Sequence, residues 1–112
     1  MKTIKIILTA IAAIMISGHV KAQADTVRIM TSAICDQCKE KIENDLSFEK
    51  GVKSSHLDLK TKIVSVIYNP KKTDEQKIRE AITQMGYDAD TLKADTKAYN
   101  KLPKCCKQEE KK

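Results

Sequence analysis

The chain has no tryptophan, one phenylalanine and three tyrosines among its 112 residues. Proteins that bind single-stranded nucleic acid stack bases on such rings, so this scarcity argues against that class. A run long enough to cross a bilayer is also missing. The longest apolar stretch, "IILTAIAAIMIS", is about a dozen residues, where roughly 20 are needed. It follows the basic start "MKTIK" and leads to "GHVKAQA", with small residues at Ala22 and Ala24. A basic start, a short apolar centre and an A-x-A end predict a secretory signal over residues 1–24, cut between Ala24 and Asp25; an uncleaved anchor is the alternative. No cysteine directly follows the apolar run, which argues against a lipid-anchored form. Histidine occurs twice, and His19 would leave with the signal, so His56 is the sole histidine of the mature chain.

A strong charge of one sign is missing as well. The formal charge of the whole chain is +6. Lys2, Lys5 and Lys21 lie in the predicted signal, which holds no acid, so 18 basic against 15 acidic residues remain, a balance of +3. Nucleic-acid binders concentrate positive charge on one face, and this mild mixture does not. Asp25 to Lys112, 88 residues, suffices for one small domain with a modest core. Export would place it in an oxidising compartment, periplasmic or extracellular, where four cysteines permit three pairings.

Periodicity sets the expected elements. "TVRIM" (26–30) is β-branched and predicts a strand with Val27 and Ile29 on one face. Cys38, Ile42 and Leu46 recur at steps of four among charged residues, the pattern of an amphipathic helix closed at Gly51. "VKSSHLDL" (52–59) and "KIVSVIY" (62–68) predict an antiparallel hairpin that Asn69-Pro70 ends. "TDEQKIREAITQMG" (73–86) predicts a second helix with a capping box from Thr73 to Gln76, an apolar stripe of Ile78, Ala81, Ile82 and Met85, and a stop at Gly86. "YDADTLKA" (87–94) is expected as a final edge strand. From Asp95 to Lys112 the chain is polar and reads as a tail, ordered only if Tyr99, Leu102 or its cysteines dock. The order β-α-β-β-α-β implies an α+β, ferredoxin-like open-faced sandwich over residues 25–94, a four-stranded antiparallel sheet with two helices on one face. Ile63 and Ile67 would point to the open face.

The chemistry sits in the cysteines. Cys35 and Cys38 form a C-x-x-C pair where the first strand hands over to the first helix. Two thiolates select soft ions such as Cu(I) or Zn(II) over Mg(II) or Ca(II). The free N–H groups and dipole of a helix start favour a thiolate, and Asp36 opposes it weakly. Cys105 and Cys106 are adjacent. Their Cα atoms, about 3.8 Å apart, fall below the usual disulfide span, so they are not expected to bridge each other. An extended tail of 13 steps from Leu92 reaches roughly 40 Å, enough to return to the first loop. The tail thiols could then add a third or fourth ligand, suiting Zn(II) or Cd(II), or could be incidental or disulfide-forming.

At these residues the chain resembles the heavy-metal-associated domains, which include soft-metal chaperones, the amino-terminal modules of copper-transporting ATPases and the periplasmic mercury-binding protein. "CDQCKEKIENDL" is similar to their C-x-x-C-x-x-x-I-E-x-x-L, "KGVKS" to their G-V-x-x turn, "VSVIYNP" to their V-x-V-x-Y-D/N-P, and "IREAITQMGYDA" to their I-x-x-A-I-x-x-x-G-Y. The resemblance covers about Thr26 to Leu92. It implies a near-linear site at Cys35 and Cys38 for Cu(I) or Hg(II), emptied by ligand exchange with a partner's thiolates, in a carrier and not an enzyme. The implied partner is a metal-transporting membrane protein or another metal carrier. The mature protein would not span a membrane and would be a monomer or a weak metal-bridged dimer. One departure is Ser32-Ala33-Ile34, where the family reads G-M-T; Ala33 or Ile34 would take the packing place of the family's methionine.

Two rival readings of the cysteines stand beside this one. A thioredoxin-type oxidoreductase also wants C-x-x-C at a helix start, but usually with a preceding aromatic where this chain has Ile34. A disulfide from Cys35 or Cys38 to the tail would instead staple a small exported domain. His56 is expected on the open side of the sheet, away from the cysteine loop. Tyr87 is expected near that loop, as a shield or as ordinary core.

Overall fold

The computed structural model describes residues 24–107; the expected signal segment lies outside them, apart from Ala24. The elements run β1 (Asp25–Met30), α1 (Asp36–Ser47), β2 (Val52–Asp58), β3 (Ile63–Tyr68), α2 (Glu75–Met85), α3 (Thr96–Asn100) and a 3-10 turn (Lys104–Cys106). The three strands form one antiparallel sheet in the order β1-β3-β2. Val27 faces Val66 and Ile29 faces Val64 across one seam, and Leu57 faces Val64 across the other. Side chains alternate along a strand, so Val27, Ile29, Leu57, Val64, Val66 and Tyr68 all point to the buried face.

That face meets the apolar stripes of the helices. Cys38, Ile42 and Leu46 of α1 and Ile78, Ala81 and Ile82 of α2 are buried, and α1 packs against both β2 and α2. Each fully buried Ile or Leu of this core contributes about 1.5–3 kcal/mol. Ile63 and Ile67 on the opposite face are half exposed. Glu43 fastens α1 to the sheet edge: its Oε2 accepts the Leu57 N–H at 2.8 Å and the Lys39 ammonium at 2.8 Å. Burial alone would raise its pKa, but these donors hold the carboxyl below the usual range. His56 is 74% exposed, with Nδ1 3.7 Å from the same Glu43 oxygen.

Two expectations are corrected. The cap of α2 is Asp74, whose side chain accepts the Lys77 N–H, rather than a Thr73–Gln76 box. The final edge strand is reduced to single bridges, Thr31 to Ala89 and Ala89 to Leu92, so the sheet among the described residues has three strands. Asp90 explains this. Its backbone adopts a left-handed φ of 53°, which turns the chain away from β1. Its side chain then accepts the Met30 N–H at 2.9 Å while its own N–H donates to the Met30 carbonyl at 2.8 Å. A side chain thus takes the ladder position that a fourth strand would have used.

Asp90 also receives Arg79 Nε at 2.8 Å. Burial works against its charge, but Arg79 and the Met30 N–H outweigh it and the carboxyl titrates below its usual range. Because its folded pKa is depressed, its stabilisation is present above the unfolded carboxylate range and lost as pH falls through the folded value. Asp90→Ala should cost about 2 kcal/mol by urea unfolding at neutral pH. The gap between variant and parent should narrow in acid; a gap that stays constant down to the acid transition would contradict this role.

Candidate metal centre

Cys35 is the N-cap residue of α1, with extended backbone and no side-chain cap bond, and Cys38 lies inside the first turn. The loop that carries them is built on Thr31. Its N–H and Oγ1 both donate to the Lys62 carbonyl, at 2.8 and 2.9 Å, and its Oγ1 accepts the Ala33 N–H at 3.2 Å. Ser32 Oγ accepts the Asp88 N–H at 2.9 Å and joins the loop to the segment after α2. Ala33 is fully buried and Ile34 is largely exposed, so Ala33 takes the inner packing place at the departure from G-M-T.

The tail docks. Asp95 caps α3 by accepting the Ala98 N–H, and its own N–H donates to the Thr83 carbonyl at the end of α2. Leu102 and Cys106 are buried and Tyr99 packs against the core. Gly86 closes α2 with a φ of 107° and lets α3 approach. A Cβ there would stand 2.9 Å from backbone atoms of Ala98 and Tyr99, so the position needs glycine both for its conformation and for the space. The 3-10 turn then lies against α1.

All four sulfurs consequently meet at one end of α1. Cys35 and Cys105 are joined as a disulfide, Cα atoms 6.2 Å apart. Cys38 and Cys106 are free, buried thiols. Cys35 Sγ lies 3.2 Å from Cys38 Sγ and 3.5 Å from Cys106 Sγ, and Cys105 Sγ lies 3.9 Å from Cys106 Sγ. Cys105 Sγ also sits 3.3 Å from Gln37 Oε1. Beneath them Tyr87 is fully buried, and its hydroxyl has no hydrogen-bond partner. The polar groups beside it are the Cys106 and Cys38 thiols. Burial and then these thiols push the tyrosine pKa far up, so it stays protonated and can only donate or accept as a hydroxyl. Burial likewise pushes the Cys106 thiol up, with Cys38 adding to the effect and Tyr87 opposing it.

The sequence-based expectations fall out unevenly in this geometry. Cys35 and Cys38 stand together at the strand-to-helix junction, and Cys105 and Cys106 come to them. His56 belongs to no metal-ligating cluster among the described residues. Neither the role of Asp90 nor the contact between Gly86 and the tail has a signature in residue order. A glycine directly after an amphipathic stripe signals a helix stop, but not that another helix lies on it. Among the described residues, no helix is long and apolar enough to cross a membrane.

Residues 29–88 match the heavy-metal-associated domain model. Copper-transporting ATPase 1 of Rattus norvegicus is 41% identical over 63 residues, which are 56% of this chain and 4% of the ATPase; the chain therefore spans a small fraction of that relative. The structure of the CopZ metallochaperone superposes with a TM-score of 0.56 at 29% identity, covering 58% of this chain and 98% of that one. Oxidized MerP from Ralstonia metallidurans superposes with a TM-score of 0.57 at 24% identity over 60% of this chain and 94% of MerP, a likeness of fold. With its C-x-x-C at the β1–α1 junction and more than half its length matched, the chain belongs to the heavy-metal-associated domain family.

Proposed function

We propose that the protein is an exported soft-metal carrier. It holds Cu(I), with Hg(II) the next choice, between the Cys35 and Cys38 thiolates and passes it to the thiolates of a metal-transporting membrane protein or another carrier. The observation that carries this reading is the pair of sulfurs 3.2 Å apart at the helix start, in a chain whose family relatives include a copper-transporting ATPase and a metallochaperone. Cys35 is partly exposed and Cys38 buried, so an incoming thiolate would reach the metal from the Cys35 side. Transfer then proceeds through a three-coordinate intermediate, and the two original thiolates leave in turn. No substrate bond is broken, so this is carriage and not catalysis. The "MKTIK" start, apolar run and A-x-A site support export and a periplasmic or extracellular home.

Cys35 cannot ligate a metal while bonded to Cys105. Loading therefore requires a dithiol reductant to deliver two electrons and two protons to that bond, leaving two thiols. The same bridge favours a second reading, a disulfide-stapled or thiol–disulfide redox protein. Anaerobic titration of the reduced chain against a chromophoric Cu(I) chelator separates the two. One tightly held Cu(I) per chain is expected, retained when Cys105 and Cys106 are both changed to Ser. Disulfide reductase activity without tight Cu(I) binding would sink the carrier reading in favour of the second.

A further inference from the structure

We propose that in the reduced protein Cys105 and Cys106 complete a four-thiolate site with Cys35 and Cys38, which holds a divalent d10 ion, Zn(II) or Cd(II). The inference rests on Cys35 and Cys38 being a soft-metal pair, and adds to that reading a ligand set supplied by the chain's own tail. A tetrahedral zinc tetrathiolate has bonds of about 2.3 Å, which place its sulfurs about 3.8 Å apart. The non-bonded contacts here, 3.2, 3.5 and 3.9 Å, bracket that spacing. Cys35, Cys105 and Cys106 already lie within 4.8 Å of one another; once the Cys35–Cys105 bond is reduced that pair must separate, and the Cys38 sulfur, 3.2 Å from Cys35, must close on the tail thiols.

Three further features point to a ligand here. The tail is held by the burial of Leu102 and Cys106 and by the capped helix α3, so its thiols arrive in place. Cys105 and Cys106 sit on one 3-10 turn that lies against α1, closed by the Cys106 N–H to the Pro103 carbonyl at 2.9 Å. The geometry of adjacent residues keeps them from bridging each other, so once Cys35–Cys105 is reduced both remain available. The Tyr87 hydroxyl is fully buried, unpartnered, and beside both Cys38 and Cys106. An orphaned hydroxyl is costly, and metal-bound thiolates are the acceptors it lacks.

The chemistry balances with a dithiol reductant. It gives two electrons and two protons to the Cys35–Cys105 bond and becomes a cyclic disulfide. The four thiols then release four protons to solvent as four metal–sulfur bonds form, leaving a doubly negative complex.

The test uses the full chain, reduced anaerobically by a dithiol, freed of reductant and given one equivalent of Zn(II). X-ray absorption should show four sulfurs at about 2.3 Å, and native mass spectrometry one zinc in a monomer. Changing Cys105 and Cys106 to Ser should leave two sulfurs with oxygen or nitrogen neighbours. It should weaken Zn(II) at least about 100-fold in chelator competition, since losing even outer-sphere support can cost that much. Leu102→Ala, which keeps every thiol but loosens the tail, should weaken it about tenfold. Two sulfurs in the parent protein would overturn the proposal, as would unchanged Zn(II) affinity in the Ser variant. Four sulfurs in a dimer sharing one zinc would overturn it too, because two Cys35/Cys38 pairs then supply them. Cu(I) binding in the Ser variant reports separately on the carrier reading and on its folding. Loss of Cu(I) binding from the parent, with the monomeric zinc site intact, would remove only the copper assignment.

Discussion

Replacing Cys35 and Cys38 together by Ser is expected to lower Cu(I) affinity at least about 1,000-fold, about 4 kcal/mol. A serine hydroxyl keeps its proton at neutral pH and is a hard donor, so neither the charge nor the softness that selects Cu(I) survives. The two positions differ in their structural cost. Cys35 is partly exposed and its thiol makes no capping bond, so in the reduced chain its replacement should leave the helix start intact, while in the oxidised chain it also removes the bridge to Cys105. Cys38 is fully buried among apolar neighbours, and a serine there buries a hydroxyl with few partners, at about 1–3 kcal/mol. Circular dichroism and the single Cys35→Ser variant separate loss of metal from loss of fold. Full Cu(I) affinity in a folded double variant would move the site away from this loop.

The second large effect concerns the bridge. Reducing Cys35–Cys105 should lower the free energy of unfolding by roughly 4 kcal/mol. The bond joins residues 70 apart, and releasing a loop of that length restores that much chain entropy to the unfolded state. In a domain this small the loss is a large share of total stability. The melting temperature should fall by at least about 15 °C, since about 1 kcal/mol corresponds to 4–8 °C at this size. Cys105→Ser should melt like the reduced protein and respond little to dithiol. An oxidised protein whose melting point ignores dithiol would show that the bridge does not hold the tail. Zn(II) added to the reduced chain should recover part of the loss, because a metal bound only by the folded state stabilises it.

These two effects pull Cys35 in opposite directions. Bonded to Cys105 it would stabilise the domain and could not carry metal; reduced, it would be free to act as the proposed ligand, in a less stable domain. The competition arises because the tail reaches the same helix end as the C-x-x-C loop. A chain ending at Ala94 would keep the pair and lose the conflict.

Much of this was legible in residue order. Alternation at Val27 and Ile29 and at Val64, Val66 and Tyr68 placed the strands, and the spacing of Cys38, Ile42 and Leu46 placed α1 with one cysteine facing inward. Those are local regularities, set by the repeat of a strand or a helix, and the order of residues displays them directly. The fate of "YDADTLKA" was not legible. Its composition allowed a strand, but Asp90 took a left-handed turn and offered its carboxylate to Met30, a contact 60 residues away in sequence. The cap of α2 failed for a smaller reason: Asp74 stands one residue nearer the helix and wins the Lys77 N–H. By itself, then, the sequence determined the strand and helix periods, the core stripes and the C-x-x-C at the first helix start. The tertiary structure alone decided that the tail folds onto Gly86, that Cys105 pairs with Cys35, and that Cys106 and the Tyr87 hydroxyl close beneath them. Those contacts join separate elements, with Cys35 and Cys105 70 positions apart, and no local period encodes which distant surfaces will meet once the core is packed.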